Sequence, residues 1–387
     1  MRIEIISTGD EIVTGLVVDT NAAWLSALLL DQGWQVRRRN TVGDNLTDLK
    51  TVLQESASRA DVVLVCGGLG PTADDLTAQA AAEAFGQPLT LFPEWLATIE
   101  ARYASRGRPM AQSNAKQAWL PQGCEILDNP VGTACGFVVS QMNGQGRSQL
   151  FFTPGVPFEF KQMVREQILP RLKQLAGEQT DTELRRFYSF GISESALSDM
   201  LDAAPWPAGI ELGYRSAMPL IELKLIGHGA TRADMEAAEA RLLAAIQPWL
   251  VGRGNDEPAQ QILTLLGDKP LTLLEGESRG ALLALCHYHP LLEAHYSPHL
   301  ASDLALLPGT AAGLHLTIGQ EGADGVPLLL CAYGQQTGQT VRVNHPDHES
   351  RRKILAFAAL DMLRRHLQGL PVLGDYLTLP RTTQRSS

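Results

Sequence analysis

VVLVCGGLGPTADDLT, residues 62–77, decides the fold. Val62 to Cys66 form a continuous apolar run with no polar alternation. Such a run suits a strand covered on both faces, as in a parallel sheet. Gly67, Gly68 and Gly70 then permit positive φ or a close backbone approach to an anion. Thr72 and Thr77 add hydroxyls, and Asp74 is expected to cap the helix that follows. Two adjacent carboxylates, Asp74 and Asp75, repel an anion unless a cation or a proton-transfer task accompanies them.

Working outward, strand and helix signals alternate. IEIIS reads as a short strand, NAAWLSALLLDQGW as a helix ending at glycine, and WQVRRRNTVG as the next extended segment. NLTDLKTVLQESASRA is an amphipathic helix opened by Asn45, and DLTAQAAAEAFG is a further helix. This rhythm implies a parallel sheet with helices on both faces, and such sheets bind ligands at the carboxyl ends of their strands. STGDE (Ser7 to Glu11) and GGLGPTADD both fall at such ends. Asp10, Glu11, Asp44 and Asp75 all stand beside strand ends. Four converging carboxylates call for a divalent cation or shared protons. With glycine amides facing phosphate, they point to a site that handles a phosphoanhydride.

The 387 residues allow two or three domains. Lys plus Arg is 32 against 42 Asp plus Glu, a net charge of −10, which speaks against non-specific nucleic-acid binding. The five cysteines include no CxxC pair, so neither a zinc site nor a disulfide framework is indicated. No targeting segment or membrane span is expected, and a reducing cytoplasmic location follows. The first domain is expected over 1–172. AGEQTDTE then reads as a linker, and a small α+β domain is expected over 173–253. A further α/β domain is expected over 256–373, with a polar, flexible tail over 374–387. His287, His289, His295 and His299 cluster in a polar stretch and read as solvent-facing.

STGDE, DTN (Asp19 to Asn21), VGDN (Val42 to Asn45), GGLGPTADDLT, NxKQA (Asn114, Lys116 to Ala118), NPVGTACGF (Asn129 to Phe137) and TPGVPFEF (Thr153 to Phe160) together resemble the CinA family, competence/damage-inducible protein A. The resemblance covers about 170 residues. It implies an α/β three-layer sandwich with a mainly parallel sheet, similar to the molybdopterin-binding MoaB and Mog proteins. It also implies a metal-dependent pyrophosphatase acting on ADP-ribose and related dinucleotides. On that resemblance Asp44 and Asp75 are the catalytic aspartates, and Asp10, Glu11, Asp44 and Asp75 the metal ligands. The metal is a divalent ion of the Mg, Mn or Co type. Thr8, Gly9, Asn21, Gly67, Gly68, Gly70, Thr72, Asn114, Lys116, Gln117, Pro154 and Gly155 would contact the nucleotide. From the residues alone NAKQA is a solvated helix face; the resemblance makes Lys116 a counter-charge to phosphate. Phe158, Phe160 and Cys135 depart from the family's usual Ser, Met and Pro.

The middle domain resembles the family's KH-type linker, but it lacks the GxxG loop that grips RNA. The last domain resembles a nicotinamide mononucleotide deamidase that has lost its parts. EGESRGALLA (Glu275 to Ala284) stands where the family has E-S-C-T-G-G. The segment carrying further serine, tyrosine and lysine has no match between His287 and Leu307. Loss of several catalytic parts together removes most of a rate. The domain is therefore expected to be an inactive relic kept for assembly, with the chain a homodimer. The alternatives are a nucleotide- or molybdopterin-binding module without turnover, and an active nicotinamide mononucleotide amidohydrolase. The expected partner is a small phosphorylated nucleotide, with no nucleic acid and no membrane.

Overall fold

The computed structural model describes residues 1–144, 146–177, 182–309 and 313–386. The chain divides into two compact units, residues 1–181 and 182–387.

The strands of the first unit are β1 (Ile3–Thr8), β2 (Val36–Val42), β3 (Val62–Cys66), β4 (Leu89–Leu91), β5 (Trp119–Pro121), β6 (Glu125–Leu127), β7 (Gly136–Asn143) and β8 (Gly146–Thr153). One sheet has the order β2-β1-β3-β8-β7-β6, while β4 and β5 pair separately. β2, β1, β3 and β8 are parallel; β7 and β6 are antiparallel additions. Every residue of β3 is buried. Val63 and Val65 join one core with Phe137 and Phe152, whereas Val62, Leu64 and Cys66 join another with Phe151 and Phe160. Two-sided burial is why the run shows no polar alternation. The helices Leu46–Arg59, Thr77–Ala84 and Pro93–Ser105 supply the first core, and Thr20–Asp31 and Pro157–Met163 the second. The expected three-layer, mainly parallel sandwich is therefore present. The boundary expected at 172 falls inside the helix Leu169–Ala176, which runs on past it. β2 lies on one side of β1 and β3 on the other, so strand order reverses there. The crevice outside the carboxyl ends of β1 and β3 is where a ligand binds in such a sheet.

In the second unit β9 (Thr182–Ser189), β10 (Ile210–Ala217), β11 (Leu220–His228) and β12 (Leu250–Arg253) form an antiparallel sheet ordered β10-β11-β9-β12. The helices Glu194–Leu201 and Arg232–Ile246 pack around Phe187, Leu223 and Leu242. This β-α-β-β-α-β order is a split βαβ unit. A six-stranded sheet follows: β13 (Leu271–Glu275), β14 (Leu292–Tyr296), β15 (Leu314–Ile318), β16 (Val326–Ala332), β17 (Gln335–Val341) and β18 (Arg381–Ser386), in the order β14-β13-β15-β16-β17-β18. β18 is a correction to the flexible tail. Its backbone completes the ladder along β17, which otherwise presents unpaired edge groups. Residues 178–181 of the linker and Ser387 lie outside the described residues.

Tyr188, Phe190, Leu220 and Val251 share one core with β13, β15 and β16, so the middle and last segments form a single unit. Leu355 to Arg364 of the helix His348–Leu367 are all buried. Its apolar residues are covered within their own unit. Among the described residues no helix is long and apolar enough to cross a membrane.

Candidate functional site

A cleft of about 450 Å³ opens at the carboxyl ends of β1 and β3. Its floor is the glycine loop. Gly67 and Gly68 have φ of 111° and 67°, the region that favours glycine. A Cβ on Gly68 would lie 2.1 Å from Thr77 Oγ1, and one on Gly70 would lie 2.5 Å from Asp75 Oδ2. The loop is therefore pressed against its own helix start. The Gly67 amide is committed to Thr153 O at 3.0 Å, so it cannot serve a phosphate as expected. The amides of Gly68, Leu69 and Gly70 have no acceptor among the described residues, and all three residues line the cleft. Successive unpaired amides form a concavity suited to an anion.

Carboxylates share the cleft with them. Glu11, Asp44, Asp74, Asp75 and Glu159 line the cleft, and no Lys or Arg does so among the described residues. The Asp10 amide donates to Asp44 Oδ2 at 3.1 Å, and the Asp44 amide donates to Asp10 Oδ1 at 3.0 Å. Burial raises the Asp44 carboxyl above its ordinary range; the Asp10 amide opposes this, and the charges of Asp10, Glu11 and Asp74 raise it further. A deficit of positive charge at Asp44 is what a bound cation would correct.

Residues 4–174 match the family described as "Probable molybdopterin binding domain". A CinA-like protein of Shewanella amazonensis is 38% identical over an alignment covering 98% of this chain and 99% of its own. The chain belongs to the CinA-like family. An Escherichia coli K12 relative named NMN amidohydrolase-like protein YfaY is 40% identical, covering 97% of this CinA-like chain and 96% of its own length. The solved CinA of Thermoplasma acidophilum, described as of unknown function, is 33% identical over 44% of this chain and 96% of its own, with a TM-score of 0.40.

Thr8, Gly9, Gln117, Pro154 and Gly155 join Gly67, Gly68 and Gly70 in the cleft wall of the CinA-like chain. The other expected contacts lie behind it. Asp10 does not line the cleft, because its carboxylate is spent on the Asp44 backbone. Thr72 turns both its amide, at 2.8 Å, and its hydroxyl, at 2.5 Å, to Asp75 Oδ2. Asp75 is thus the loop's internal acceptor as well as a cleft residue. Asp74 does not cap the following helix, whose N-cap is Leu76 with no side-chain bond. It is exposed. Lys116 donates to Thr72 O and lines only a smaller cavity of about 60 Å³ behind the loop. Asn114 accepts from Tyr103 at 3.1 Å and donates to Ala111 O, which makes it a brace for the chain before Gln117. Asn21, in the first turn of the helix Thr20–Asp31, donates to Gly155 O at 2.8 Å and so ties that helix to a cleft residue.

Glu159 is the cleft residue that the motifs did not single out. Buried Asn129 donates to Glu159 Oε2 at 2.9 Å and accepts from the Val131 and Gly132 amides. The signal available in the sequence was a carboxylate just past the PGVP turn. Gln117 Oε1 is buried in the cleft wall without a partner. An unpaired acceptor of that kind suits a ligand hydroxyl or amine. Among the described residues, no group of three His, Cys, Asp or Glu side chains is arranged to hold a metal ion. The carboxylates converge on the cleft without forming an all-protein cage.

The histidine stretch forms no metal group either. In the last sheet the turn after β13 is closed. Glu275 Oε2 accepts from Ser278 Oγ at 2.7 Å and from the Gly280 and Leu282 amides, while Oε1 accepts from Leu283. Ser278 and Glu275 are 0% and 2% exposed.

Proposed function

We propose that the first unit hydrolyses the phosphoanhydride of a small nucleotide of the ADP-ribose type. The observation that carries this is one cleft lined both by the unpaired Gly68, Leu69 and Gly70 amides and by carboxylates. A diphosphate alone would be repelled by those carboxylates, so it is expected with a divalent cation of the Mg, Mn or Co type. The donor set fits an ion that takes one or two protein carboxylates and completes its shell from phosphate oxygens and water. Glu11 and Asp74 are the carboxylates that would hold it. When bound, such an ion offsets the phosphate charge and polarises the phosphoryl oxygens.

The chain's own residues supply the rest. The loop amides fix one phosphate, and Gln117 Oε1 accepts from a donor on the nucleotide. Asp44, at the cleft wall, takes a proton from the attacking water. The water oxygen bonds to one phosphorus, and the bridging oxygen leaves with the second phosphate and its electron pair. Full-length protein should release AMP and ribose 5-phosphate from ADP-ribose only with a divalent ion present. Saturable binding without release would favour the binding-only reading instead.

The amidohydrolase-like name of the E. coli relative favours a second reading, amide hydrolysis by the second unit. The Glu275 turn argues against it. Ser278 is buried and its proton is committed to Glu275, so it cannot meet a substrate. A cytoplasmic location and a homodimer are part of the proposal. The dimer is supported by the exposed apolar side chains Val13, Leu16, Val17 and Val18. Sedimentation at monomer mass across a wide concentration range would exclude it.

A further inference from the structure

The second unit contains a cavity of about 350 Å³ that lies apart from the Glu275 turn. The chain after β9, the β10–β11 hairpin, the segment after β17 and the residues leading to β18 all contribute to it. Its floor is rigid core: Phe190 is 2% exposed and packs 4.9 Å from Phe357 and 5.1 Å from Tyr376 between ring centroids. Ile192, Met218, Leu220 and Ile354 add apolar wall. Ser216, Asn344 and His345 place hydrogen-bonding groups around it. An apolar concavity with a few convergent polar groups is the usual form of a small-molecule site.

The charge of the lining selects the ligand. Glu194 is its one carboxylate, and no Lys or Arg lines it among the described residues. A phosphate or carboxylate group has nothing here to pair with, in contrast to the unpaired amides of the first unit. His345 Nδ1 lies 3.1 Å from the Asp347 amide and 3.4 Å from Asp347 O, which leaves Nε2 for a ligand. The cavity thus offers an imidazole nitrogen, hydroxyl and amide groups, and an aromatic floor. Its volume equals about a dozen waters at ~30 Å³ each, room for one molecule of nucleoside size.

We propose that this cavity binds a neutral nitrogen heterocycle of the nucleobase or nucleoside class, independently of the phosphate-facing cleft. Binding of adenosine, guanosine and uridine to the full-length protein would be measured by calorimetry, with AMP as the charged comparator. At least one nucleoside is expected to saturate at one site per chain and to bind more tightly than AMP does at that site. Ser216→Trp, on the exposed edge strand β10, fills the cavity and should weaken binding by about tenfold or more. His345→Ala removes the imidazole and should weaken it about fivefold, consistent with loss of one hydrogen bond. Asp44→Asn should leave nucleoside binding unchanged. Circular dichroism checks each variant's fold; if Ser216→Trp disturbs it, His345→Ala and Asn344→Ala decide. No saturable binding of any nucleoside overturns the proposal. So does binding that ignores the cavity variants or disappears in Asp44→Asn.

Discussion

Asp10 and Asp44 hold each other's backbone: each amide donates to the other's carboxylate, at 3.1 and 3.0 Å. The pair joins the turn after β1 to the turn after β2. One carboxylate, Asp44, still reaches the cleft; the other is buttress. Asp44→Asn is expected to lower metal-dependent kcat by about a hundredfold or more, the scale of losing a general base. Asp10→Ala should cost about tenfold by releasing the Asp44 loop. Asp10→Asn keeps the acceptor and should recover most of that loss. Equal losses in the two Asp10 variants would show that Asp10 acts by charge.

Gly68→Ala is expected to destabilise the first unit by about 2 kcal/mol, because φ is positive there and the new Cβ would meet Thr77 Oγ1. A urea midpoint lowered at unchanged slope is the check. A midpoint equal to wild type would mean that the loop is free to relax.

Asp75→Asn keeps one acceptor for the Thr72 amide and hydroxyl. It should raise KM by about tenfold through loosening of the amide loop, with a smaller change in kcat. A collapse of kcat at unchanged KM would instead make Asp75 the proton acceptor.

Glu275 accepts four hydrogen bonds in a buried turn. Glu275→Gln turns an amide NH₂ toward donors and should cost the second unit about 3 kcal/mol. Ammonia release from nicotinamide mononucleotide should equal the no-enzyme blank in wild type and in Ser278→Ala. Turnover lost in Ser278→Ala would restore the amidohydrolase reading.

The Asp61 carboxyl is held below its ordinary range by the Arg2 side chain, at the start of β1. A lowered folded pKa gives stability that is present above the unfolded value of 3.8 and is lost as pH falls through the folded one. The pair is more than a third exposed, so Asp61→Asn should cost no more than ~1 kcal/mol at neutral pH. The difference from wild type should vanish below the folded pKa. A pH-independent difference would assign the loss to packing.

Local pattern and spacing in the sequence determined the parallel sheet, its helices and the loop that lines the cleft. Val62 to Cys66 could be read because two-sided burial leaves an unbroken apolar run. The glycines after it could be read because few other residues tolerate such backbone. What tertiary structure alone decided is which groups meet. Asn129 orients Glu159 from 30 residues away, and Lys116 reaches back 44 residues to Thr72. Asp10 is buttress and Asp44 cleft residue, although both stand at strand ends. β17 and β18 leave no strand signal in the sequence, because QQTGQTV and RTTQRS show no apolar alternation. Their ladder partners come from distant parts of the chain. A hydrogen bond between remote segments leaves no local mark in composition or period, so the partner of each polar group is fixed only when the chain closes on itself.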